Sequence, residues 1–383
     1  ERLSKVAVPK VAILAGEPSG DLIASHLMVD LNKRYKNIQY VGVGGPLMSK
    51  AGLNSFFDYA HLSVRGYFEV LRNFIKLRSL QKNLITHLLK EKPDIYIGID
   101  APDFNFAIER ALKASKVRVF HYIAPSVWAW RKNRIYQMKK DMHHLFSIFP
   151  HELPLFKKIR LPITYVGHPL ASKIPLKLDP KLSKKLLNLD MSSKIIALLP
   201  GSRMGEVKWH LNLMLETALI IQKKLPGCQF ILPINNQTNY MYARHQLTAY
   251  QGLNARLIIG HSHEVINAAD LCILASGTAS LEAALFKKPM VIVYKTSWLS
   301  WMILKRMHLI PYVGLPNILL GKLLVPELLQ DAASPKNITE NVLGMLNNKK
   351  YLNSLRAEYR KLHLSLKKNT SQLIIEQLSK HLK

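Results

Sequence analysis

A run without a single charged side chain, Ile95-Tyr96-Ile97-Gly98-Ile99, stops abruptly at Asp100. Such an apolar, β-branched run reads as a strand buried on both faces of a parallel sheet, since only helices above and below remove the need for a polar face. Asp100 then falls at the carboxyl end of that strand, where open α/β sheets take their ligands. Pro102 breaks the strand, and Asp103 or Asn105 is expected to cap the helix that follows. A lone carboxylate at a strand end serves a turn as readily as it serves chemistry, so its role depends on the rest of the chain.

The same unit recurs. Val11-Ala12-Ile13-Leu14-Ala15 is a buried-strand pattern, and Gly16-Glu17-Pro18-Ser19-Gly20-Asp21 turns it into a helix running to about Lys33. Ser19 or Asp21 can cap that helix, or its free amides can face an anionic ligand. Further strands are expected at 38–43, 117–123, 144–149 and 163–166, with helical stretches between most of them. After Val166-Gly167-His168-Pro169 comes a lysine- and proline-containing connector, 170–193. The pattern then restarts, with strands at 194–199, 229–233, 255–259, 271–275 and 290–294. Alternation of this kind predicts parallel sheets with helices on both faces. The 383 residues suffice for two cores. The expected architecture is α/β, two Rossmann-like domains facing a cleft, divided as 1–169 and 170–383.

Several classes are set aside. Neither the Gly16–Gly20 turn nor Gly42, Gly44 and Gly45 has the three-glycine dinucleotide spacing, so a NAD site is not expected. Cys228 and Cys272 lie in apolar strand-like runs and read as core residues of a reducing compartment. Residues 1–10 contain no apolar signal core, and no stretch reaches the ~20 apolar residues of a spanning helix. The net charge of +29 calls for an anionic partner: nucleic acid, a phosphorylated substrate or an acidic membrane surface. Zinc-ligand spacing, RNP-like aromatics and helix-turn-helix signals are missing, so specific nucleic-acid binding is not expected.

Two segments interrupt the strand–helix rhythm. In 61–80, Val64, Phe68, Leu71 and Ile75 recur at helical spacing, with Arg65, Arg72, Lys76 and Arg78 interleaved. This is the pattern of a basic amphipathic helix on a membrane, and equally of a core helix with a charged back. Pro125-Ser126-Val127-Trp128-Ala129-Trp130 leads into a basic helix, where tryptophans can pack on a sugar, an acyl chain or the loop itself.

The second half carries its own chemistry. Ser276-Gly277-Thr278 follows an apolar strand and opens a helix whose first amides suit a diphosphate without a metal. Glu282, one turn in, can accept ribose hydroxyls or complete a capping box. Arg203, in Leu199-Pro200-Gly201-Ser202-Arg203, offers a planar fork to phosphate oxygens at another strand-to-helix turn.

Taken together, the Gly16–Asp21 turn, Gly98-Ile99-Asp100-Ala101-Pro102-Asp103-Phe104-Asn105, the Pro125–Trp130 segment, Leu199–Arg203, Ser276–Thr278, Gly314-Leu315-Pro316-Asn317 and Pro326-Glu327-Leu328-Leu329-Gln330 resemble the lipid-A-disaccharide synthase family. The motifs come in the family's order and span nearly the whole chain. Pro18 departs from the small residue expected there and should only stiffen the turn. The resemblance implies a bacterial inverting glycosyltransferase (a hexosyltransferase) with a GT-B-type fold. It would join UDP-2,3-diacylglucosamine to 2,3-diacylglucosamine 1-phosphate, releasing UDP, at the inner face of the cytoplasmic membrane. No cofactor or metal is implied, and a homodimer is left open. It further implies Asp100 as general base and Glu17 and Ser19 on the acceptor side. Arg203, Ser276, Gly277, Thr278, Glu282, Asn317 and Gln330 would line the donor side, and Val64, Phe68, Leu71 and Ile75 would face the membrane. Residues 1–169 would then bind acceptor and membrane, and 170–383, terminal helices included, the UDP-sugar. The competing readings are another UDP-sugar enzyme on the same scaffold, a 2-epimerase or a different transferase, and, further off, a non-enzymatic basic nucleic-acid-binding protein.

Overall fold

The structure, a computed structural model, describes residues 8–57, 67–125, 134–275, 277–298, 300–302 and 311–382; the side chains of 67–76 lie outside that description. Two units emerge, Glu1–Pro169 with Leu366–Lys383, and Leu170–Ser365.

The first unit is built on a parallel sheet of β1 (Lys10–Ala15), β2 (Gln39–Val43), β3 (Leu53–Ser55), β4 (Ile95–Ile99), β5 (Arg118–Tyr122), β6 (His144–Ser147) and β7 (Ile163–Tyr165), ordered 3-2-1-4-5-6-7. The second holds β8 (Ile195–Leu199), β9 (Gln229–Ile234), β10 (Ala255–Ile259), β11 (Leu271–Ala275), β12 (Met290–Tyr294) and β13 (Glu327–Leu329), parallel again and ordered 10-9-8-11-12-13. Central strands are apolar throughout because both faces are covered. In β4, Tyr96 packs in a cluster with Leu84, Leu88, Ile108 and Leu112, while Ile97 and Ile99, like Ile13 on β1, are no less buried. In the second unit Ile196, Leu198, Phe230 and Leu232 pack with Leu211, Met214, Ile338 and Val342.

Each sheet reverses its winding once. The reversal lies between β1 and β4 in the first and between β8 and β11 in the second. Helices leave these strand pairs to opposite sides, so a crevice opens beyond their carboxyl ends. Register makes the strand ends level: Ala15 pairs with Ile99, and Leu199 with Leu274.

The glycines after β1 have packing reasons. Gly42 sits on β2 at φ +140, and a Cβ there would fall 1.9 Å from the Ile13 carbonyl oxygen. Backbone cannot swing aside as a side chain does. Gly42→Ala should therefore cost about 2 kcal/mol by overpacking, a drop of roughly 4–8 °C in a thermal melt for a domain of this size. A Cβ on Gly45 would strike Asp21 at 2.5 Å. Asp21 does not cap its own helix, Pro18–Arg34. Its carboxylate accepts the amides of Gly45 (2.9 Å), Leu47 (3.1 Å) and Met48 (3.0 Å), capping the next helix, Pro46–Lys50, across space.

Three further features differ from the sequence reading. The connector 170–193 contains helices Pro169–Lys173 and Pro180–Leu186. The three-residue strands β3 and β13 are too short to carry a periodic signal. Helix Thr370–Leu378 belongs with the first unit, not with 170–365: Thr370 Oγ1 donates to Val166 O (2.7 Å), the His168 amide to Leu366 O (2.8 Å), and Tyr35 Oη to Ser379 Oγ (3.0 Å). Among the described residues no helix is long and apolar enough to cross a membrane.

Candidate active site

Asp100 follows β4 directly, beside the β1 turn, at the reversal of the first sheet. It and Ala101 both adopt the left-handed region, φ +50 and +43. Non-glycine residues rarely do so, and when they do the surroundings must hold them. Here the Asp100 amide donates to Tyr122 O (2.9 Å), and Asn105 Nδ2 donates to Asp100 O (2.7 Å) while its Oδ1 accepts the Tyr96 hydroxyl (2.6 Å). The backbone of the turn is thus fully engaged and the carboxyl group is left for other work. Burial pushes that carboxyl above the usual carboxylate range, opposed by the charge of His121 and by the Ala101 amide.

Neither expected cap of the following helix, Pro102–Ala114, is one. Ala101 is the cap residue, with no side-chain bond. Asp103 sits in the first turn, where it suits the helix dipole, and pairs with Arg134. Asn105 is buried beneath Asp100. Capping therefore does not account for Asp100. Across the reversal, Glu17 and Ser19 are exposed at the start of Pro18–Arg34, with Glu17 in the cap position but making no side-chain cap bond. Gly20 lets that helix start close in: a Cβ on it would lie 3.2 Å from Ala15 and 3.8 Å from Ile99. Glu17, Ser19 and Asp100 thus share one end of one sheet.

In the second unit the turn after β8 is fixed without help from its arginine. Glu206 Oε2 accepts the amides of Ser202 (2.9 Å) and Arg203 (3.2 Å), and Asn235 and Asn239 donate to Ser202 O at 2.8 and 3.0 Å. Gly201, at φ +119, makes room for Glu206. Arg203 opens helix Met204–Lys224 with its side chain exposed. Behind it His210 is buried; its Nε2 accepts the Lys295 amide (2.9 Å), which leaves Nδ1 to donate to Glu206 O (2.7 Å). His210 thus ties the turn after β8 to that after β12, as a neutral ring that burial keeps below the usual histidine range.

Gly277 follows β11 at φ +141 and caps helix Thr278–Leu285 without a side-chain bond, and among the described residues no side chain accepts the first amides of that helix. Buried Ser280 donates to Gly277 O (2.7 Å) and accepts the Leu315 amide (3.2 Å), joining this turn to helix Leu315–Leu320. Thr278 is exposed, and Glu282 is half-buried with Oε1 3.1 Å from His263 Nε2. Gln330 is clamped to Thr296 by both amide atoms (2.9 and 3.1 Å). Asn317 is wholly buried: it accepts the amides of Leu324 and Val325 and donates to Val325 O and Glu327. Its part is to shape the 314–327 segment, with Glu327 accepting the amides of Val313 and Gly314 at the other end.

Ser276, Val64 and the Trp128–Trp130 pair lie outside the described residues, as do the side chains of Phe68, Leu71 and Ile75, whose backbone belongs to helix Tyr67–Glu91. Among the described residues no cluster of three or more histidine, cysteine or acidic side chains is arranged to hold a metal. Glu206, His210, His263 and Glu327 were not foreseen. They lie within helices or at a strand start, and only the folded chain brings them to the turns they fix.

A family model described as lipid-A-disaccharide synthetase matches residues 11–381. A lipid-A-disaccharide synthase of Methylobacillus flagellatus is 42% identical over 368 residues, 95% of this chain and 97% of its own length. That of Dechloromonas aromatica is 41% identical, covering 95% and 96%. Among solved structures, UDP-GlcNAc 2-epimerase from Neisseria meningitidis bound to UDP-GlcNAc superposes with a TM-score of 0.65 at 16% identity, over 97% of this chain and 99% of its own. Acinetobacter baumannii MurG gives 0.57 at 14%, over 98% and 100%. At such identities the structural likeness speaks for the fold alone.

Proposed function

The chain belongs to the lipid-A-disaccharide synthase family, a group of glycosyltransferases, and from that premise we propose which of its residues carry the reaction. The enzyme condenses UDP-2,3-diacylglucosamine with 2,3-diacylglucosamine 1-phosphate to give lipid A disaccharide 1-phosphate and UDP. Its two parallel-sheet units are those of a GT-B glycosyltransferase.

In our reading Asp100 takes the proton from the acceptor 6-hydroxyl as that oxygen attacks the anomeric carbon of the donor. Attack opposite UDP inverts the configuration in one step. A carboxylate pushed up by burial is a better base than an exposed one. Glu17 and Ser19 hold the acceptor. Arg203 and the amides of Gly277, Thr278 and Ala279 take up charge on the departing diphosphate, with Ser276 assigned to the same donor side. Glu282, oriented by His263, receives the ribose hydroxyls. Gln330 fixes the Thr296 turn beside the nucleotide, and Asn317 acts through the loop it clamps.

The observation that supports this assignment is topological. The proposed base and the proposed diphosphate site each stand at the winding reversal of their own sheet, where such folds bind ligands. The test is an assay with both acylated substrates in which UDP and disaccharide are quantified together. Equal yields, with no UDP release when acceptor is omitted, are expected. UDP-sugar consumption independent of acceptor would overturn the assignment in favour of another reaction on the same scaffold.

We also propose that helix Tyr67–Glu91 and the segment before it bring the enzyme to the anionic inner face of the cytoplasmic membrane, with Val64, Phe68, Leu71 and Ile75 toward the acyl chains. Each basic residue near such a surface adds ~1 kcal/mol and fades with salt, whereas apolar contact does not. Replacing Phe68 and Leu71 with serine should release the protein from anionic vesicles and lower activity on long-chain substrates, sparing short-chain soluble analogues. Flotation and paired assays read this. A fall in both activities together with the melting temperature would mark a core helix instead.

A further inference from the structure

Beneath Asp100 lies a pair of ionisable groups that the reaction as described does not use. Glu109, on helix Pro102–Ala114, and His121, on β5, are both wholly buried, with Glu109 Oε1 2.6 Å from His121 Nδ1. The other ring nitrogen, Nε2, lies 3.2 Å from Ile123 O. Both nitrogens thus face oxygen acceptors, and a neutral ring can donate to only one of them. Among the described residues Glu109 Oε2 has no hydrogen-bond partner, and the bond to His121 offsets burial of that carboxyl.

The pair exists because of a glycine. Gly98 and His121 are register partners on β4 and β5, and a Cβ on Gly98 would lie 2.3 Å from Glu109 Oε1 and 2.9 Å from Asn105. Any other residue in that apolar run would bar Glu109 from the histidine.

The pair is wired to the turn that carries Asp100. Ile123, to whose carbonyl His121 points, has φ +75, a conformation a β-branched residue adopts only when held there. Its neighbour Tyr122 supplies the carbonyl that receives the Asp100 amide at 2.9 Å. Two left-handed turns, at the ends of β4 and β5, are therefore tied together, and the histidine anchors one of them.

Resting on the assignment of Asp100 as base, we propose that His121 is a positioning residue for the reaction: doubly protonated between Glu109 and Ile123 O, it fixes the Tyr122–Ile123 turn and holds a positive charge under the Asp100 carboxylate. Burial opposes charge on the ring, but Glu109, by charge and hydrogen bond, and Asp100 together hold it above the usual histidine range. Burial pushes the Glu109 carboxyl up, opposed by the charge of His121 and by the hydrogen bond to it. Among the described residues the other groups acting on the pair are Tyr96 from β4 and Asp141 from helix Arg134–Asp141, which is neutralised by Arg110 at 2.7 Å, while Arg134 stacks over Phe106. Phe106 meets the His121 ring edge-on.

The first test needs no variant. In protein labelled with ¹⁵N-histidine, both His121 ring nitrogens should carry protons at pH 7.5, and a neutral tautomer overturns the proposal whatever Asp100 does. The second is the pH profile of kcat/KM in Glu109→Gln and His121→Gln. Without the positive charge, burial of Asp100 is opposed by the Ala101 amide alone, so the acid limb should move up by about one pH unit or more, with activity recovering at alkaline pH and UDP binding unchanged. The substrate phosphate titrates alike in all three proteins, so the difference reports on the enzyme. A loss equal at every pH overturns the proposal and leaves a packing role. Failure of the base assignment would show separately, as retained turnover in Asp100→Asn.

Discussion

Asp100→Asn should lose about 10²- to 10⁴-fold in kcat, the usual contribution of positioned proton transfer, with UDP binding intact. Asparagine keeps the shape and tolerates the left-handed backbone that Asp100 adopts at φ +50. Only the base is removed. The stability should move the other way. A carboxyl whose folded pKa is raised loses stability as pH rises from its unfolded value through its folded one, and the penalty then persists. At neutral pH the asparagine variant should melt no lower than the parent, and the gap should close on acidification toward the ordinary carboxylate range. Turnover near the parental level would remove Asp100 as the base. A lower melting temperature at neutral pH would mean that the carboxylate is a structural ion, not a strained functional one.

Arg203→Ala should lower kcat/KM by about 10- to 150-fold, the equivalent of ~1.5–3 kcal/mol for a charge-assisted bond to diphosphate. The turn itself should survive, because Glu206, Asn235 and Asn239 hold its backbone without the guanidinium. Stability should therefore change by under ~0.5 kcal/mol. Lysine should rescue only in part, since a point charge lacks the planar fork. Steady-state kinetics with varied donor, alongside UDP calorimetry, separate the outcomes. A full rescue by lysine would replace bidentate recognition with simple attraction, and an unchanged alanine variant would place the diphosphate elsewhere.

What the sequence disclosed and what it withheld divide along physical lines. β1, β4, β8 and β11 were legible because strands buried on both faces must be apolar throughout, and the turns that end them, with Asp100, Glu17, Arg203 and Gly277, were legible because the same runs stop there. β3 and β13 were not, since three residues show no period. The caps misled because Asp21 finds its amides at 45–48, a contact made in space and not in sequence. Glu109 and His121 were missed for a like reason: twelve residues apart, on a helix and a strand, they share no motif. The only trace was Gly98, an odd glycine inside a β-branched run, whose purpose appears once Glu109 is seen to occupy the space a side chain would take.

The first unit is interrupted: it comprises residues up to Pro169 and then Leu366–Lys383. A ribosome works in one direction only. At roughly 5–20 residues per second, the intervening segment separates these two pieces by about 10–40 s of synthesis. During that interval the first sheet exists without helix Thr370–Leu378, whose Leu378 is buried in the finished unit and whose ends engage Val166 and Tyr35. Nascent domains generally mature amino end first. This chain inverts that order, so the unit begun first is the one finished last, and its open seam is in the keeping of whatever shields unfinished chains.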